Sequence, residues 1–269
     1  MRRNYTNGQT MTKSRYKAEL EKLLPFGMVA TKQWLTSKGI SRHFLDNGVK
    51  SGSIISITPG LYCRAGIPIT WEGVVTSLQT MSEWPVHVGG ISALELSGLA
   101  HYLTPHGKKL IHLFSDEKLP TWLNRVSSKY EFRHHTAKKI WLPGVMESSK
   151  VVKEHSWRED LPSFCASSPE KGYLEMLMGV PGTISFEHAD EIMQGLTNLS
   201  PNRLNLLLSS CCHVKVKRLF FWFGRRHNYR WYQKITPDDF NLGSGKRVVA
   251  PGGKLDTEFL ITVPESMHG

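Results

Sequence analysis

The stretch from residue 29 to residue 64 constrains the fold most, because its caps and turns predict two short helices in close succession. Thr31 is a suitable N-cap for a helix that carries Trp34 and Leu35. Gly39 can end that helix, since a left-handed backbone costs glycine little. Ser41 can then cap a second helix. The spacing therefore predicts a helix, a tight turn and a second helix.

The second helix has a predicted inner face and a predicted outer face. The inner face carries the apolar and small residues Phe44, Leu45, Gly48 and Val49. The outer face carries side chains rich in hydrogen-bond donors: Ser41, Arg42, His43, Asp46, Asn47 and Lys50. A helix with such an outer face is suited to contact a polar partner.

A hairpin is predicted directly after the second helix. Gly52 can end the helix, and the runs SIISIT and LYCR have strand composition on either side of a Pro59-Gly60 turn. Helix, turn, helix and a two-stranded wing is the order of a winged helix-turn-helix, which places its second helix in the DNA major groove. The same positions would also suit a structural subdomain.

Charge favours the DNA-binding interpretation of this segment. Only Glu19, Glu21 and Asp46 are acidic up to residue 64, where basic residues are far more numerous. The whole chain has a formal net charge of +11, which indicates an acidic partner such as nucleic acid.

Composition predicts two domains in a chain of 269 residues. The sequence has no apolar run long enough to predict a membrane span. The four cysteines lack the spacing of a disulfide framework. We expect a cytoplasmic protein with a flexible basic arm at 1–13, a winged domain at 14–98 and a C-terminal domain at 99–269.

The C-terminal half predicts a mixed α+β domain, because strand-like and helical runs alternate there in blocks. KKLIHLFS and KYEFRHHT have strand composition, whereas residues 145–170 are polar and predict a long surface connection. From Pro169 onward the pattern is helical, with one long buried helix expected over 201–223. The tail is expected to return to strands around a Gly-Gly turn. The fold class is therefore α+β.

No known active site is recognisable, so no catalytic residue, metal or cofactor is expected. The run GSGKR at 243–247 lacks the other residues of a phosphate loop and is interpreted as a basic turn. Cys211, Cys212 and His213 lack a completing ligand pair and are better explained as buried apolar cysteines beside a histidine. His134 and His135 would point to opposite faces of a strand, so a joint catalytic role is not expected.

Basic and aromatic residues interleave over 215–234, in KVKRLFFWFGRRHNYRWYQK. The aromatic rings could stack on bases, or they could be core residues with the basic side chains on a solvated rim. We favour a core with a basic rim. The rim residues are Lys215, Lys217, Arg218, Arg225 and Arg226.

The chain resembles the AbiEi-type antitoxins. In the first half the resemblance lies in LPFGMVATKQWLTSKGIS, PGLYCRAG and VHVGGISALELSGLAHYL, and in the second half in VKVKRLFFWF and LGSGKRVVAPGGKLDTEFLITVP. It covers most of the chain in the family's order.

The resemblance implies a type IV toxin-antitoxin system used in abortive infection against phage. The N-terminal winged domain of such an antitoxin would bind inverted repeats in the promoter of its own operon and repress transcription from it. Its C-terminal domain would counteract a nucleotidyltransferase-like toxin without a stable complex. The sequence pattern itself supports only the DNA-binding part of this account.

Specific residues are predicted for both roles. Arg42, His43, Asn47 and Lys50 would lie on the groove-facing helix that Ser41 caps. There Arg42 and Asn47 could read guanine and adenine edges, whereas Lys50 would meet phosphate. Further contacts to the DNA phosphate backbone would come from Arg15, Lys32, Lys38 and Arg64. The basic rim would form the antitoxic surface. We expect a monomer in solution that pairs on DNA, because one small winged domain buries little interface.

Two alternative functions remain open. The chain could be an interaction protein that neutralises its toxin by direct binding, with a winged domain that is only structural. It could also be a nuclease or modifying enzyme with a winged targeting domain, although the chain lacks a carboxylate cluster or metal-ligand spacing.

Overall fold

The computed structural model describes residues 13–100, 107–126 and 129–268. It consists of two compact units, Met1–Met81 and Ser82–Gly269, which are described separately. The predicted basic arm lies outside the described residues, except for Lys13, which begins the first helix. No helix in the described ranges is long and apolar enough to cross a membrane.

Among its described residues, the first unit contains four α-helices and a small sheet, in the predicted order. In chain order the elements are α1 (Lys13–Leu23), β1 (Ala30–Thr31), α2 (Lys32–Ser37), α3 (Arg42–Lys50), β2 (Ile54–Thr58), β3 (Leu61–Arg64) and α4 (Trp71–Met81). The three strands are antiparallel in the order β1, β3, β2. The predicted caps and turn are confirmed. Oγ1 of Thr31 accepts from the amide of Trp34, and Gly39 and Gly60 have positive φ angles of 91° and 81°.

The core of the first unit is small and aliphatic. It forms where α1, α2, α3 and the sheet meet. Its buried residues are Leu20, Leu24, Ala30, Leu35, Ile40, Leu45, Ile54 and Tyr62. Because this core includes residues of every element up to the sheet, the helices and the hairpin are held as one body.

The second unit is built on a mixed five-stranded sheet in the order β6-β5-β4-β8-β7. Its strands are β4 (Val86–Val88), β5 (Lys109–Ser115), β6 (Tyr130–Thr136), β7 (Val152–His155) and β8 (Phe164–Ser167). β5 and β6 are parallel, as are β4 and β8, whereas β4 with β5 and β7 with β8 are antiparallel.

Where the structure describes the second unit, five α-helices, several short 3-10 turns and a C-terminal hairpin complete it. They are α5 (Gly90–Leu96), α6 (Pro169–Leu177), α7 (Phe186–Gly195), α8 (Pro201–Ser210), α9 (Val214–His227), β9 (Lys254–Asp256) and β10 (Ile261–Val263). α6 contacts α5, α8 and α9. α9 supplies the aromatic residues Phe220, Phe221, Trp222 and Phe223, which are at most 2% exposed. The interpretation of these rings as core is therefore confirmed.

Three predictions for the second unit are wrong. Residues 145–170 are not a surface connection, because they contain β7 and β8, and Phe164 is fully buried. The helix expected over 201–223 is broken at 211–213, where Cys211 forms a bridge with Trp141. The last two strands turn at 257–260 rather than at the Gly-Gly pair.

The structural division of the chain differs from the predicted boundary at residue 98. β4 and α5 lie in the second unit, because β4 pairs with β5 and β8, and α5 packs against α6. These partners could not be predicted from residues 86–96, since β5, β8 and α6 all lie further along the chain.

Candidate nucleic-acid interface

Helix α3 is seated in the first unit by its apolar side. Oγ of Ser41 accepts from the amide of Phe44 at 3.1 Å, which caps the helix. Leu45 is fully buried, and the ring of Phe44 stacks on Tyr16 of α1 with centroids 5.3 Å apart. Gly48 lies against Ile54, so close that an added Cβ would be 2.9 Å from Cγ1 and closer still to Cδ1. The helix therefore packs closely against both α1 and the hairpin.

The opposite side of α3 is exposed and polar, as predicted. Its exposed polar residues are Arg42, His43, Asp46, Asn47 and Lys50. Nδ2 of Asn47 and Nε2 of His43 are 2.9 Å apart, so these two side chains form one hydrogen-bonded pair. Val49 was expected to face inward, but it is 37% exposed, because it lies near the end of the helix beyond the small core.

A groove of about 1160 Å³ runs between α1, α3 and the hairpin. It brings together four of the predicted residues: Ser41, His43, Asn47 and Arg64. The other predicted residues, Arg15, Lys32, Lys38, Arg42 and Lys50, do not line it. The predicted set is therefore divided between the groove and the neighbouring surfaces.

Several predicted phosphate contacts already have partners within the unit. Arg64 pairs with Glu21 at 3.2 Å, and its guanidinium lies 3.7 Å from the ring centroid of Phe26. Nζ of Lys32 is 3.3 Å from the carboxylate of Asp46. These contacts reduce the charge that Arg64 and Lys32 can offer to a phosphate.

The groove also contains residues that the predicted set omitted. Lys17 is exposed on α1 and lines the groove, together with Ser14, Ser51 and Ser53. Lys17 is adjacent in sequence to Tyr16, whose ring packs on α3. The sequence held no signal for this position of Lys17, because the contact between Tyr16 and α3 is visible only in the structure.

Two residues of the predicted antitoxic surface are buried, which corrects the expectation of a solvated rim. Lys217 is 5% exposed and Arg218 is 1% exposed. Arg218 donates to four backbone carbonyls, those of Leu242 at 2.7 Å, Gly243 at 3.1 Å, Gly245 at 2.7 Å and Leu260 at 3.1 Å. Arg218 therefore holds the 242–245 loop. The glycines of the GSGKR turn have positive φ angles, 66° at Gly243 and 75° at Gly245, which glycine adopts readily.

The other three rim residues reach the surface but are engaged in internal contacts. Lys215 donates to the carbonyls of Met178 at 2.9 Å and Val180 at 2.6 Å. Arg225 forms ion pairs with Asp256 and Glu258. Arg226 lies 3.3 Å from the carboxylate of Asp190. These contacts join α9 to its neighbours, and the charges of Arg225 and Arg226 are partly compensated by carboxylates within the unit.

A buried polar cluster around Glu175 was not predicted. Its carboxylate accepts hydrogen bonds from five groups: the side chains of His87 at 3.0 Å, Trp141 at 3.1 Å, Ser167 at 2.7 Å and Lys171, and the amide of Gly90 at 3.0 Å. Burial alone would raise the pKa of Glu175, but Lys171 and His87 hold it well below the usual range. The cluster links β4, β8 and α6 in the interior of the second unit.

Three histidines near this cluster are kept neutral by their surroundings. Burial, helped by His135 and Arg133, lowers the pKa of His112 to about 3. Burial also lowers the pKa of His87 and of His135. Nδ1 of His112 is 2.8 Å from Nε2 of His135, whereas His134 contacts the carbonyl of Ser115. His134 and His135 thus have different partners.

The cysteines are divided between the interior and the surface. Cys211 is buried, and burial raises the pKa of its thiol to about 11. Cys212 is exposed, so the expectation of two buried cysteines is wrong for this residue. Adjacent residues point in different directions where the chain leaves α8, which explains the difference. Among the described residues, no three His, Cys, Asp or Glu side chains are placed to hold a metal ion.

Comparison with known families accounts for nearly the whole chain. A family described as "Transcriptional regulator, AbiEi antitoxin, Type IV TA system" matches residues 108–264. The family described as "Transcriptional regulator, AbiEi antitoxin N-terminal domain" matches residues 13–105.

A solved structure shares the fold. The crystal structure of the RV2827C protein from Mycobacterium tuberculosis is 16% identical, with a TM-score of 0.51 over 92% of this chain and 89% of that one. No curated protein matches the chain.

Proposed function

Because this chain belongs to the AbiEi antitoxin family of transcriptional regulators in type IV toxin-antitoxin systems, we propose that it represses its own operon by binding DNA through α3. The observation that carries the proposal is the exposed donor face of a helix that is packed against α1 and a hairpin. Such a helix followed by a hairpin suits the major groove of a duplex, with the hairpin as a wing.

The residues of α3 divide into two roles in this proposal. Arg42 can donate two hydrogen bonds to a guanine edge, and Asn47 can both donate to and accept from an adenine edge. Lys50, at the end of α3, and Lys17, on α1, would meet phosphates. His43 would act through its hydrogen bond with Asn47, by fixing the orientation of the amide. Arg64 is a weaker candidate than the sequence indicated, because Glu21 and Phe26 already engage it.

Charge in the first unit supports a nucleic-acid partner. Residues 13–81 carry nine lysines and arginines against four acidic residues. Neutralising phosphates releases counterions, so affinity should fall steeply with salt concentration. A repressor shares the compartment of its promoter, and we therefore place the protein in the cytoplasm. One small domain contacts a short site, so we propose that a monomer pairs on an inverted repeat.

The test is a gel shift and footprint of the purified protein on DNA upstream of its own gene, in a salt series. We expect a protected inverted repeat and a steep loss of affinity with salt. Arg42→Ala should weaken operator binding by about 1 to 3 kcal/mol and relax specificity at one base pair. Equal affinity for operator and random duplex would remove the repressor proposal.

A second function is proposed for the second unit, namely neutralisation of a nucleotidyltransferase-like toxin. The family description supports it in general terms. The test is growth of cells that express the toxin gene of the same operon, with and without this chain. Failure of the chain to restore growth would overturn this function and leave the repressor proposal unaffected.

A further inference from the structure

Val49 is the one exposed apolar side chain on α3, a helix whose residues the structure describes in full. It is 37% exposed, whereas Leu45, one turn earlier, is fully buried. Val49 therefore contributes little to the core, and a branched side chain makes valine a weaker helix former than most residues. A single exposed valine is ordinary in itself. What gives this one a role is its place on the helix.

Val49 lies in line with Arg42 along α3. Residues seven apart in a helix project from the same side after two turns, and Asp46 lies between these two at spacings of four and three. Arg42 and Asp46 are both exposed. The neighbouring row of exposed side chains has the same spacing and consists of His43, Asn47 and Lys50. Val49 thus belongs to the proposed DNA-contacting face of α3, opposite the side that is buried.

The end of α3 holds Val49 in a fixed position. The amide of Gly52 donates to the carbonyl of Val49 at 3.1 Å, and the amide of Ser51 donates to the carbonyl of Asn47 at 2.9 Å. A valine side chain in a helix also has one strongly preferred χ1 rotamer. The methyl groups of Val49 are therefore ordered before any contact, which reduces the conformational entropy lost on binding.

The major groove offers one apolar group to such a side chain, the 5-methyl group of thymine. Val49 can form no hydrogen bond with a base edge, and an aliphatic side chain gains nothing against a phosphate. Contact with a methyl group removes apolar surface of both partners from water. Asp46, in the middle of the row, is 3.3 Å from Nζ of Lys32, so the two ends of the row remain for base contacts.

We propose that Val49 selects a thymine in the operator, through van der Waals contact with the 5-methyl group of that base. This proposal rests on the proposed repressor function and adds a determinant of sequence specificity to it. Seven residues of helix advance by about 10 Å, and successive base pairs are about 3.4 Å apart. Where α3 follows the major groove, the thymine should lie about three base pairs from the guanine that Arg42 reads.

Deoxyuridine in place of thymidine tests the contact, because it removes the 5-methyl group and keeps the hydrogen-bonding edge of the base. Each thymine in the footprinted operator is replaced in turn, and gel shifts with the full-length chain measure the affinity for each duplex. We expect one replacement to weaken binding by the parent about fourfold, the effect of one buried methyl group. Val49→Ala should bind that duplex and the unmodified operator with nearly equal affinity.

Ile55→Ala is a matched control, since Ile55 is another exposed aliphatic residue of the first unit, at 47%. Ile54 lies against α3, so the next side chain along the strand points to the other face of the hairpin. This variant should keep the sensitivity of the parent to the same deoxyuridine. Thermal melting of both variants would establish that they fold like the parent.

A gain of the methyl group gives the converse test. The sensitive thymine is replaced by cytosine or by 5-methylcytosine, each paired with guanine, so that the two duplexes differ only in the 5-methyl group. The parent and Ile55→Ala should bind the methylated duplex more tightly, by about the same fourfold. Val49→Ala should not distinguish the two duplexes.

The outcomes separate the role of Val49 from the repressor function. If the parent protects no site upstream of its gene, the repressor function fails and the role of Val49 fails with it. If the parent protects an operator but no deoxyuridine weakens its binding, the repressor function stands and the role of Val49 is overturned. Discrimination that persists in Val49→Ala, or that disappears equally in Ile55→Ala, would overturn that role in the same way.

Discussion

Lys171 and Glu175, one turn apart on α6, form an ion pair in which both side chains are completely excluded from water. Two charges in such a place are stable only with good geometry and further hydrogen bonds. Glu175 has these from His87, Gly90, Trp141 and Ser167. The hydrogen bonds from His87 and Gly90 therefore join β4 and α5 to α6 at this pair.

Glu175→Gln should strongly destabilise the second unit. The substitution keeps the shape of the side chain but leaves the charge of Lys171 buried without its partner. We expect a loss of about 3 to 5 kcal/mol in the free energy of unfolding, measured by urea titration. Glu187→Gln removes an exposed carboxylate on α7 and should change stability little. Similar losses in both variants would contradict a special role for the buried pair.

Stability should fall as the pH is lowered, because His112 is held neutral in the folded state. Its folded-state pKa is lowered to about 3, whereas an unfolded histidine titrates near pH 6.5. Between these values the unfolded chain binds the proton and the folded chain does not. Protonation of this ring in the unfolded chain therefore lowers the free energy of unfolding by about 1.4 kcal/mol per pH unit as the pH falls through this window.

The measurement is the free energy of unfolding in urea at a series of pH values across that window. His112→Gln should flatten the pH dependence, whatever its effect on absolute stability. His43→Gln, which alters an exposed ring in the first unit, serves as the control. An unchanged slope in His112→Gln would show that other groups govern the acid sensitivity.

Asp46→Asn should strengthen DNA binding if α3 faces the duplex. Asp46 places a negative charge on the proposed contact surface and engages Lys32 at 3.3 Å. Its neutralisation removes repulsion from phosphates and frees Lys32, so we expect an affinity gain of about two- to fivefold and a steeper salt dependence. Glu83→Gln removes the same charge from an exposed residue of the second unit. Equal gains from both variants in gel shifts would indicate only an effect of net charge.

Gly48→Ala should destabilise the first unit by about 1 to 3 kcal/mol, because the new methyl group meets the side chain of Ile54. Ile54→Val removes Cδ1, the atom in closest conflict. The double variant should therefore lose less stability than the sum of the two single losses, as measured by thermal unfolding. Simple additivity would show that Gly48 is required for another reason, such as its backbone conformation.

The local structure of the first unit could be predicted because its signals are local. A serine or threonine before an apolar helix and a glycine after it determine most of the boundaries, and the caps at Thr31 and Ser41 are confirmed. The prediction that Val49 faces inward was wrong, because helical periodicity does not reveal where the core ends. The groove beside α3 depends on how three elements approach each other, and periodicity carries no such information.

The polar interior of the second unit could not be predicted for a related reason. A lysine and a glutamate four residues apart are normally an exposed helical pair, and only the fold places Lys171 and Glu175 beside His87. Arg218 was likewise expected in solvent. Its burial could not be predicted, because its hydrogen-bond acceptors are backbone carbonyls of a loop whose position the sequence does not reveal. β7 and β8 were missed because each has only four residues and lies in a polar context.

The absence of a side chain at Gly48 has a consequence for the way this protein would select its operator. Since α3 rests directly on Ile54, a change in the angle between the helix and the hairpin would disrupt this close packing. The duplex would have to adapt instead, and its stiffness depends on sequence. Base pairs that no side chain touches would then contribute to recognition, through the ease with which they bend.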